Sequence, residues 1–191
     1  PGLVDRLVRS TLRAPTAGNT RGTAWVILEG REETTRYWLA ATTDAWRSSS
    51  RRWPGLSRAP VVAVSLASPD SYMARYAEPD KAASGLGRPS PVPSAPASTG
   101  TRWPVPYWFA DAAFCVHTLL LGLTAAGLGA CFLGNFRLED DLLAALEVPA
   151  GWRFFGAVAL GYPDGDDHPS ASLTRAGPAP ATRVHRGRWH A

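Results

Sequence analysis

This chain of 191 residues is nearly free of lysine: Lys81 is its single one, and arginine supplies the remaining basic side chains. Its formal net charge is +4, and no run of basic residues is longer than Arg51-Arg52. Nucleic-acid-binding proteins usually gather Lys and Arg on one face or along one element. We therefore expect no nucleic-acid partner, although a modest basic excess would suit an anionic ligand.

Cysteines and metal-binding patterns are also scarce. Cys115 and Cys131 both stand among apolar residues without metal-ligand spacing, so we interpret them as reduced core thiols of a cytosolic protein. The histidines share no ligand spacing with one another or with acidic residues, which predicts no metal site. They are His117, His168, His185 and His190. No signal peptide is recognisable, and because the chain begins at Pro1, we expect a natural N-terminal segment to be missing.

The sequence signatures of several enzyme classes are missing too. There is no GxSxG nucleophile elbow, no P-loop, and no GxGxxG that opens a helix after a strand. Gly127-Leu128-Gly129 lies between a predicted helix and a predicted strand, which is the reverse of the Rossmann order. The acidic run Glu139-Asp140-Asp141 opens a predicted helix, where carboxylates suit the positive end of the dipole, so we interpret it as a solvated first turn.

The chain is organised around its longest apolar stretch, Phe109–Ala126, which no proline interrupts. A helix with apolar residues on every face either spans a membrane or is buried in protein. The stretch is marginal in length for a span and contains Asp111 and His117, so we predict burial and no membrane partner. Because one domain rarely covers such a helix, we also predict a dimer. Gly127 ends the helix, and Ala130–Phe136 is typical of a buried strand in which Gly134-Asn135 permits close backbone approach.

Hydrophobic periodicity predicts alternating helices and strands in the rest of the chain. The predicted helices are an N-terminal one that carries Leu3, Val4, Leu7, Val8 and Leu12, followed by Glu32–Trp46, Ser71–Tyr76 and Glu139–Leu146. The predicted strands are Ala24–Leu28, Ala59–Leu66, Arg153–Gly161 and Arg183–Trp189. This alternation predicts one domain with an α/β or α+β sheet that helices cover.

Three connecting segments are candidates for ligand contact. Thr16–Thr20 is a turn of small polar residues between a helix and a strand, and it is either a ligand-binding turn or an ordinary one. Ala82–Thr101 is rich in Ala, Ser, Gly and Pro, which predicts a mobile loop. Trp103–Trp108 is rich in aromatic residues that either pack in the core or form a wall for a flat ligand.

Three segments of the chain, in this order, resemble the FMN-dependent nitroreductase family. Arg13–Gly22 with the strand Trp25–Leu28 resembles that family's A-P-S-x-x-N-x-Q segment, although Arg21 stands where the family usually has Gln. The central helix with Gly127–Phe136 resembles its long dimer helix and flavin-facing strand. Phe155–Pro163 followed by Arg175 resembles its G-Y-P turn and late phosphate arginine. The early R-R-S-x-R phosphate motif of the family has no counterpart in this chain.

The resemblance implies an α+β fold of the α/β sandwich type, with a central mixed sheet flanked by helices. It further implies an intertwined homodimer with two FMN sites at the interface. The cofactor-binding residues that it implies are Pro15, Thr16, Ala17, Asn19 and Arg21 from one subunit, and Phe132, Leu133 and Gly134 from the other. Asp111 would lie near the pyrimidine edge of the flavin, and Arg175 would contact the phosphate.

The implied activity is the transfer of hydride from NAD(P)H through FMN to a nitroaromatic, a quinone or a similar planar acceptor. No catalytic side chain is expected, because the cofactor carries the hydride chemistry. Tyr107 and Trp108 would form a substrate wall, and Ala82–Thr101 would act as a lid over the acceptor. Two alternatives remain open: a dedicated biosynthetic flavin dehydrogenase, and a dimer that binds flavin without turnover.

Overall fold

The computed structural model describes residues 2–50, 52–87, 103–135, 138–165, 171–175, 177 and 183–189. The helices are α1 (Gly2–Thr11), α2 (Gly30–Ala41), α3 (Asp44–Ser49), α4 (Trp53–Leu56), α5 (Pro69–Ala77), α6 (Tyr107–Ala125) and α7 (Glu139–Ala145). The strands are β1 (Thr23–Glu29), β2 (Val61–Ala67), β3 (Gly129–Leu133) and β4 (Arg153–Gly161). Short 3-10 turns cover Ala17–Asn19, Ala82–Ser84 and Ala171–Thr174.

The described strands form a four-stranded sheet in the order β1-β2-β4-β3. All seven residues of the inner strand β2 are buried, as its β-branched apolar run predicts. The predicted α+β class is confirmed. However, each of the three pairings is antiparallel, so the parallel pairing that a mixed sheet requires does not occur among the described strands.

Helices cover both faces of the sheet. Alternate residues of a strand point to opposite faces, so neighbouring residues of β2 pack against different helices. Val62 and Val64 of β2 belong to the apolar cluster that includes residues of α2 and α7. Their neighbours Val61 and Ala63 belong to the cluster that includes residues of α1 and α6. The sheet therefore lies between α2 and α7 on one face and α1 and α6 on the other.

The long helix α6 is buried along one side only. Its buried residues are Trp108, Asp111, Ala112, Cys115, Val116, Leu119 and Leu123. On the other side, the exposed fraction is 52% for Phe114 and 59% for Leu121. By length and composition, α6 could also span a membrane, with a mean hydropathy of 1.4. The predicted enclosure of this helix on all sides is thus incomplete within one chain, which leaves an apolar face uncovered.

The predicted helix Glu32–Trp46 is wrong as a single element, because α2 ends at Ala41 and α3 begins at Asp44. Thr42 and Thr43 between them have extended backbones. The Oγ1 of Thr43 accepts a hydrogen bond from the backbone N–H of Trp46 at 3.2 Å and so caps α3. Threonine is favoured at such caps and disfavoured inside helices, so the break has a local cause that hydrophobic periodicity does not reveal.

Two predicted strands also need correction. β3 pairs only with β4 among the described strands, and its Ala130 and Phe132 are exposed, so its predicted full burial is wrong. The predicted strand Arg183–Trp189 is wrong, because residues 183–189 form turns and bends. Gly187 has a φ of 75°, a left-handed conformation that no extended strand passes through.

The two cysteines are free, as predicted, but only Cys115 lies in the core. Its thiol donates to the backbone oxygen of Thr11 at 3.4 Å, and burial raises its pKa. Cys131 lies on the partly exposed strand β3 and is half-buried. The predicted core position is therefore correct for Cys115 and wrong for Cys131.

Glu139, predicted to lie in a solvated first turn, instead joins α7 to β4. Its carboxylate accepts hydrogen bonds from Arg153 Nε at 2.6 Å, from Arg153 Nη2 at 3.0 Å and from the backbone N–H of Phe154 at 3.0 Å. Only 14% of its side chain is exposed. The hydrogen bonds from Arg153 hold the pKa of Glu139 below its usual value.

Replacing Glu139 with Gln should therefore destabilise the protein by about 1 kcal/mol at neutral pH, the size of a partly exposed charge-assisted contact. A lowered folded-state pKa stabilises the fold above the unfolded pKa, and this contribution is lost as pH falls through the folded pKa. The difference between the two proteins should thus begin to shrink as pH falls below about 4.3, the ordinary pKa of a glutamate, and vanish only below the lowered folded-state pKa of Glu139. Urea unfolding as a function of pH measures it, with the exposed Asp141→Asn as control. If the free energy of unfolding fell equally with decreasing pH in Glu139→Gln and in the parent protein, this role of Glu139 would be contradicted.

Candidate functional site

The predicted ligand-binding turn between α1 and β1 has an unusual backbone. Gly18, Asn19 and Arg21 have φ angles of 63°, 54° and 57°. For residues other than glycine, such left-handed conformations cost on the order of 1–3 kcal/mol and persist only where surrounding contacts impose them. They occur preferentially at functional sites, so the turn is the first candidate for ligand contact.

Hydrogen bonds within the turn close it on itself. The Oγ1 of Thr16 accepts from the backbone N–H of Arg21 at 3.0 Å, and the Thr20 hydroxyl donates to the backbone oxygen of Ala17 at 2.6 Å. Asn19 and Arg21 are exposed, and Arg21 Nε donates to Asn19 Oδ1 at 3.2 Å. The turn thus presents a carboxamide and a guanidinium to its surroundings in a defined relative position.

A buried carboxylate attaches the turn to α6. The Oδ2 of Asp111 accepts a hydrogen bond from the backbone N–H of Ala17 at 2.7 Å and another from the hydroxyl of Tyr72 at 2.6 Å. Asp111 is 2% exposed. Burial, followed by the hydrogen bond to Asp111, raises the pKa of Tyr72. Asp111 therefore stands at the predicted site, but its described contacts are with the turn and with α5.

Helix α5 forms a second support for the turn. Arg75 Nε donates to the backbone oxygen of Gly18 at 2.9 Å. A Cβ on Gly18 would lie 2.8 Å from Cε2 of Tyr76, so the turn rests directly on this ring and only glycine fits there. Sequence reasoning predicted the helix Ser71–Tyr76 but assigned no role to it. No local spacing could have linked α5 to a turn more than fifty residues earlier.

The second predicted group of cofactor contacts lies at the end of β3. The exposed ring of Phe132 stacks on Phe155 with 5.8 Å between centroids, and Phe155 lies 6.1 Å from Phe109. Phe154 pairs with Leu66 and Gly156 with Ser65, so Phe155 is the extra residue of a β-bulge. This row of rings, Phe132, Phe155 and Phe109, connects β3 to the first turn of α6. Leu133 is half-buried, and Gly134 is exposed.

Replacing Gly156 with Ala should dislodge Phe132 from this row. A Cβ at position 156 would lie 2.3 Å from Cε2 and 2.5 Å from Cζ of Phe132, and the backbone oxygen of Leu133 is close behind at 3.2 Å. The cost should be about 1 kcal/mol of unfolding free energy, the low end of the range for overpacking, because Phe132 is 44% exposed and its ring can turn away. Thermal unfolding and near-ultraviolet circular dichroism of the variant measure it. Gly55→Ala, where no atom lies within 4 Å of the added Cβ, is the control; equal effects of both changes would refute the packing argument.

The two predicted groups contact α6 at different residues. The turn reaches α6 at Asp111, whereas Phe132 reaches it through Phe155 at Phe109. Residues two positions apart on a helix point about 200° away from each other. Phe109 and Asp111 therefore lie on different sides of the start of α6, although Ala17, Phe109 and Phe155 pack against one apolar cluster.

The remaining predicted site residues differ in how exposed they are. Tyr107 is 38% exposed, whereas Trp108 is 2% exposed and packs among Tyr72, Trp103 and Phe109. The predicted contact of Trp108 with a substrate does not fit this position, because protein encloses its ring. Arg175 is exposed and directly follows the 3-10 turn Ala171–Thr174. Most of the predicted lid, residues 88–101, lies outside the described residues.

Two cavities in the described structure lie away from the predicted site. One, of about 480 Å³, is lined by residues of α7 and β4, and the other, of about 650 Å³, lies beside α2 and α4. Neither is lined by any of the predicted cofactor-binding residues. Neither of these two cavities therefore corresponds to the predicted site.

Comparison with known proteins gives a consistent picture. Residues 1–162 match the family model described as the nitroreductase family. A relative from Archaeoglobus fulgidus, provisionally named NADH dehydrogenase/NAD(P)H nitroreductase, is 22% identical over 189 residues, which are 97% of this chain and 85% of that protein. The 5,6-dimethylbenzimidazole synthase of Rhodospirillum rubrum is 37% identical over 62 residues, which are 32% of this chain and 28% of that protein. An FMN-dependent nitroreductase from Clostridium difficile R20291 has the same fold, with a TM-score of 0.62 at 15% identity, over 98% of this chain and 86% of that one.

Proposed function

Since this chain belongs to the nitroreductase family of oxidoreductases, we propose that it binds FMN and uses NAD(P)H to reduce a nitroaromatic, a quinone or a similar planar acceptor. The observation that carries this proposal is the left-handed turn at Thr16–Arg21, which is anchored from two helices and exposes polar side chains. The names of the relatives, which include NAD(P)H nitroreductase and FMN-dependent nitroreductase, support this cofactor and this electron donor.

The donors of the turn suit the polar edge of a flavin. Asn19 and Arg21 are exposed and can donate to carbonyl oxygens and ring nitrogens, and the Thr16 hydroxyl keeps its own proton to donate. Pro15 and Ala17 add small apolar surfaces beside them. These five residues of one subunit would hold one side of FMN.

A second copy of the chain would supply the other side through the end of its β3. Phe132 and Leu133 offer an apolar wall, and exposed Gly134 brings a backbone N–H with no side chain in the way. The Nδ2 of the neighbouring Asn135 is buried and has no hydrogen-bond partner in the described part of the chain. Buried donors are usually paired, so this amide supports a ligand at the end of β3.

FMN, when bound, supplies the hydride chemistry. The chain orients it and, through backbone N–H groups near Gly134, would favour negative charge at the ring edge that they contact. We assign no side chain as an acid, a base or a nucleophile. Cys131→Ser and His117→Gln should therefore leave turnover nearly unchanged as long as the variants fold.

Steady-state kinetics of the FMN-saturated protein test the proposal. One pocket serves NAD(P)H and the acceptor in turn, so varying both should give the parallel lines of a ping-pong mechanism. A bound flavin that neither NADH nor NADPH bleaches would instead favour the dimer that binds flavin without turnover. A protein that takes up no FMN would overturn the proposal.

A dedicated biosynthetic flavin enzyme is the second candidate. The local similarity to 5,6-dimethylbenzimidazole synthase favours it, because that relative is named for a synthesis. The two candidate functions can be distinguished by measuring how fast different electron acceptors oxidise the reduced protein. Comparable rates with many nitroaromatics and quinones support the leading proposal, and a strong response to a single compound supports the second.

Arg175 should contribute to FMN affinity. A guanidinium that meets the phosphate makes charge-assisted hydrogen bonds, so Arg175→Ala should weaken binding by roughly 1.5–3 kcal/mol. Fluorescence titration with FMN measures the loss, and comparison with riboflavin isolates the phosphate. Arg188→Ala, at another exposed arginine near the C-terminus, is the matched control. An unchanged FMN titration for Arg175→Ala would remove this residue from the site.

A further inference from the structure

We propose that Tyr72 and Arg75 of α5 are positioning residues that hold the turn Thr16–Arg21 in its cofactor-binding conformation. They are three residues apart and so share one face of the helix. This inference rests on the proposed function, because it assumes that the turn contacts FMN. It adds two residues that neither the resemblance nor the family match assigns.

Tyr72 acts on the turn through Asp111. Its hydroxyl and the backbone N–H of Ala17 donate to the same oxygen, Oδ2, at 2.6 and 2.7 Å. Two donors on one oxygen fix the carboxylate between α5, α6 and the turn. The ring of Tyr72 is fully buried, and a Cβ on Gly22 would lie 2.6 Å from its Cε2. The end of the turn therefore also packs directly on this ring.

Arg75 acts on the turn directly. Its Nε holds the backbone oxygen of Gly18 at 2.9 Å, while Nη1 and Nη2 donate to Asp80 at 2.7 Å each and Nη1 also donates to Glu78 at 3.0 Å. These carboxylates set the direction in which the guanidinium points, and the hydrogen bonds from Arg75 lower the pKa of Asp80. Arg75 thus belongs to a fixed cluster and does not behave as a free surface side chain.

The two attachments fix consecutive residues. Asp111 takes the N–H of Ala17, and Arg75 takes the carbonyl oxygen of Gly18, so both ends of this dipeptide are held. Asn19 follows this dipeptide directly and Arg21 lies two residues further on, and both have left-handed backbones and exposed side chains. When only a fraction of molecules has the competent turn, the apparent dissociation constant rises by the inverse of that fraction. Tyr72 and Arg75 should therefore affect FMN affinity without touching FMN.

The test compares Tyr72→Phe and Arg75→Met with matched controls in the full chain. Tyr37→Phe is the tyrosine control, because the Tyr37 hydroxyl is buried with no hydrogen-bond partner in the described structure. Arg9→Met is the arginine control, because Arg9 pairs with Asp5 on α1, where its side chain is 74% exposed. The measurements are FMN titration, thermal unfolding without FMN, and amide hydrogen exchange of the peptide that contains residues 16–21.

Each of the two variants should weaken FMN binding by about threefold to tenfold, the effect of losing one hydrogen bond. Exchange in residues 16–21 should be faster, and both controls should match the parent protein. Tyr72→Phe should cause no further loss of FMN affinity in an Asp111→Ala background, because Tyr72 acts on the turn through that carboxylate. A lower unfolding midpoint with unchanged affinity and exchange would reduce Tyr72 and Arg75 to structural residues and overturn the inference. Absence of FMN binding by the parent protein would instead overturn the proposed function.

Discussion

Replacing Phe114 and Leu121 together with aspartate is expected to convert the proposed dimer into a monomer with much weaker FMN binding. The two residues are seven positions apart and so share one side of α6, where they are 52% and 59% exposed in one chain. Burying each such side chain stabilises an interface by about 1.5–3 kcal/mol. In a two-fold dimer every contact occurs twice, and carboxylates in an apolar interface add a desolvation cost.

Analytical ultracentrifugation of the parent and variant proteins measures the change. Leu39→Asp is the control, because Leu39 is 63% exposed on α2, on the opposite face of the sheet. It should leave the dimer intact. A parent protein that sediments as a stable monomer at micromolar concentration would refute the proposed dimer, and with it the proposed contribution of a second copy to the FMN site.

Replacing Asp111 with Ala should be the most damaging single change near the turn. It leaves the backbone N–H of Ala17 and the buried hydroxyl of Tyr72 without an acceptor. Each unpaired buried donor costs about 1–3 kcal/mol, so a loss of about 3 kcal/mol in unfolding free energy is expected. FMN binding should fall with it, because the turn loses its attachment to α6.

Asp111→Asn tests the geometry more finely. Both donors end on a single oxygen, Oδ2, so an amide oxygen in the same place can still accept both hydrogen bonds. The loss should be clearly smaller than for Asp111→Ala in urea unfolding. Asp140→Ala, at an exposed first-turn position of α7, controls for removal of a carboxylate and should cost less than about 1 kcal/mol. Equal losses of unfolding free energy for Asp111→Asn and Asp111→Ala would show that the negative charge of Asp111 matters and the shared acceptor oxygen does not.

The sequence by itself determined the features that depend on local pattern. β2 and β4 are long apolar runs, and runs of this kind become inner strands that bury both faces. α6 is predicted because its apolar residues continue for several turns without proline. The Thr16–Thr20 turn is predicted from small polar residues and glycine between a helix and a strand. Each of these features depends on residues that are close together in the chain, so it can be predicted from the sequence.

Only the tertiary structure decided which distant groups meet. The hydrogen bond from Ala17 to Asp111 joins residues 94 positions apart, and α5 reaches the turn across a similarly non-local gap. Glu139 is withdrawn from solvent because β4 brings Arg153 beside it, and β3 is an edge strand because only β4 pairs with it in the described sheet. Strand pairing and side-chain burial depend on how whole helices and strands pack. The hydrophobic periodicity of one segment does not specify which other segment packs against it. The same reason explains why the sequence suggested the turn as a site while the residues that hold it became visible only in the fold.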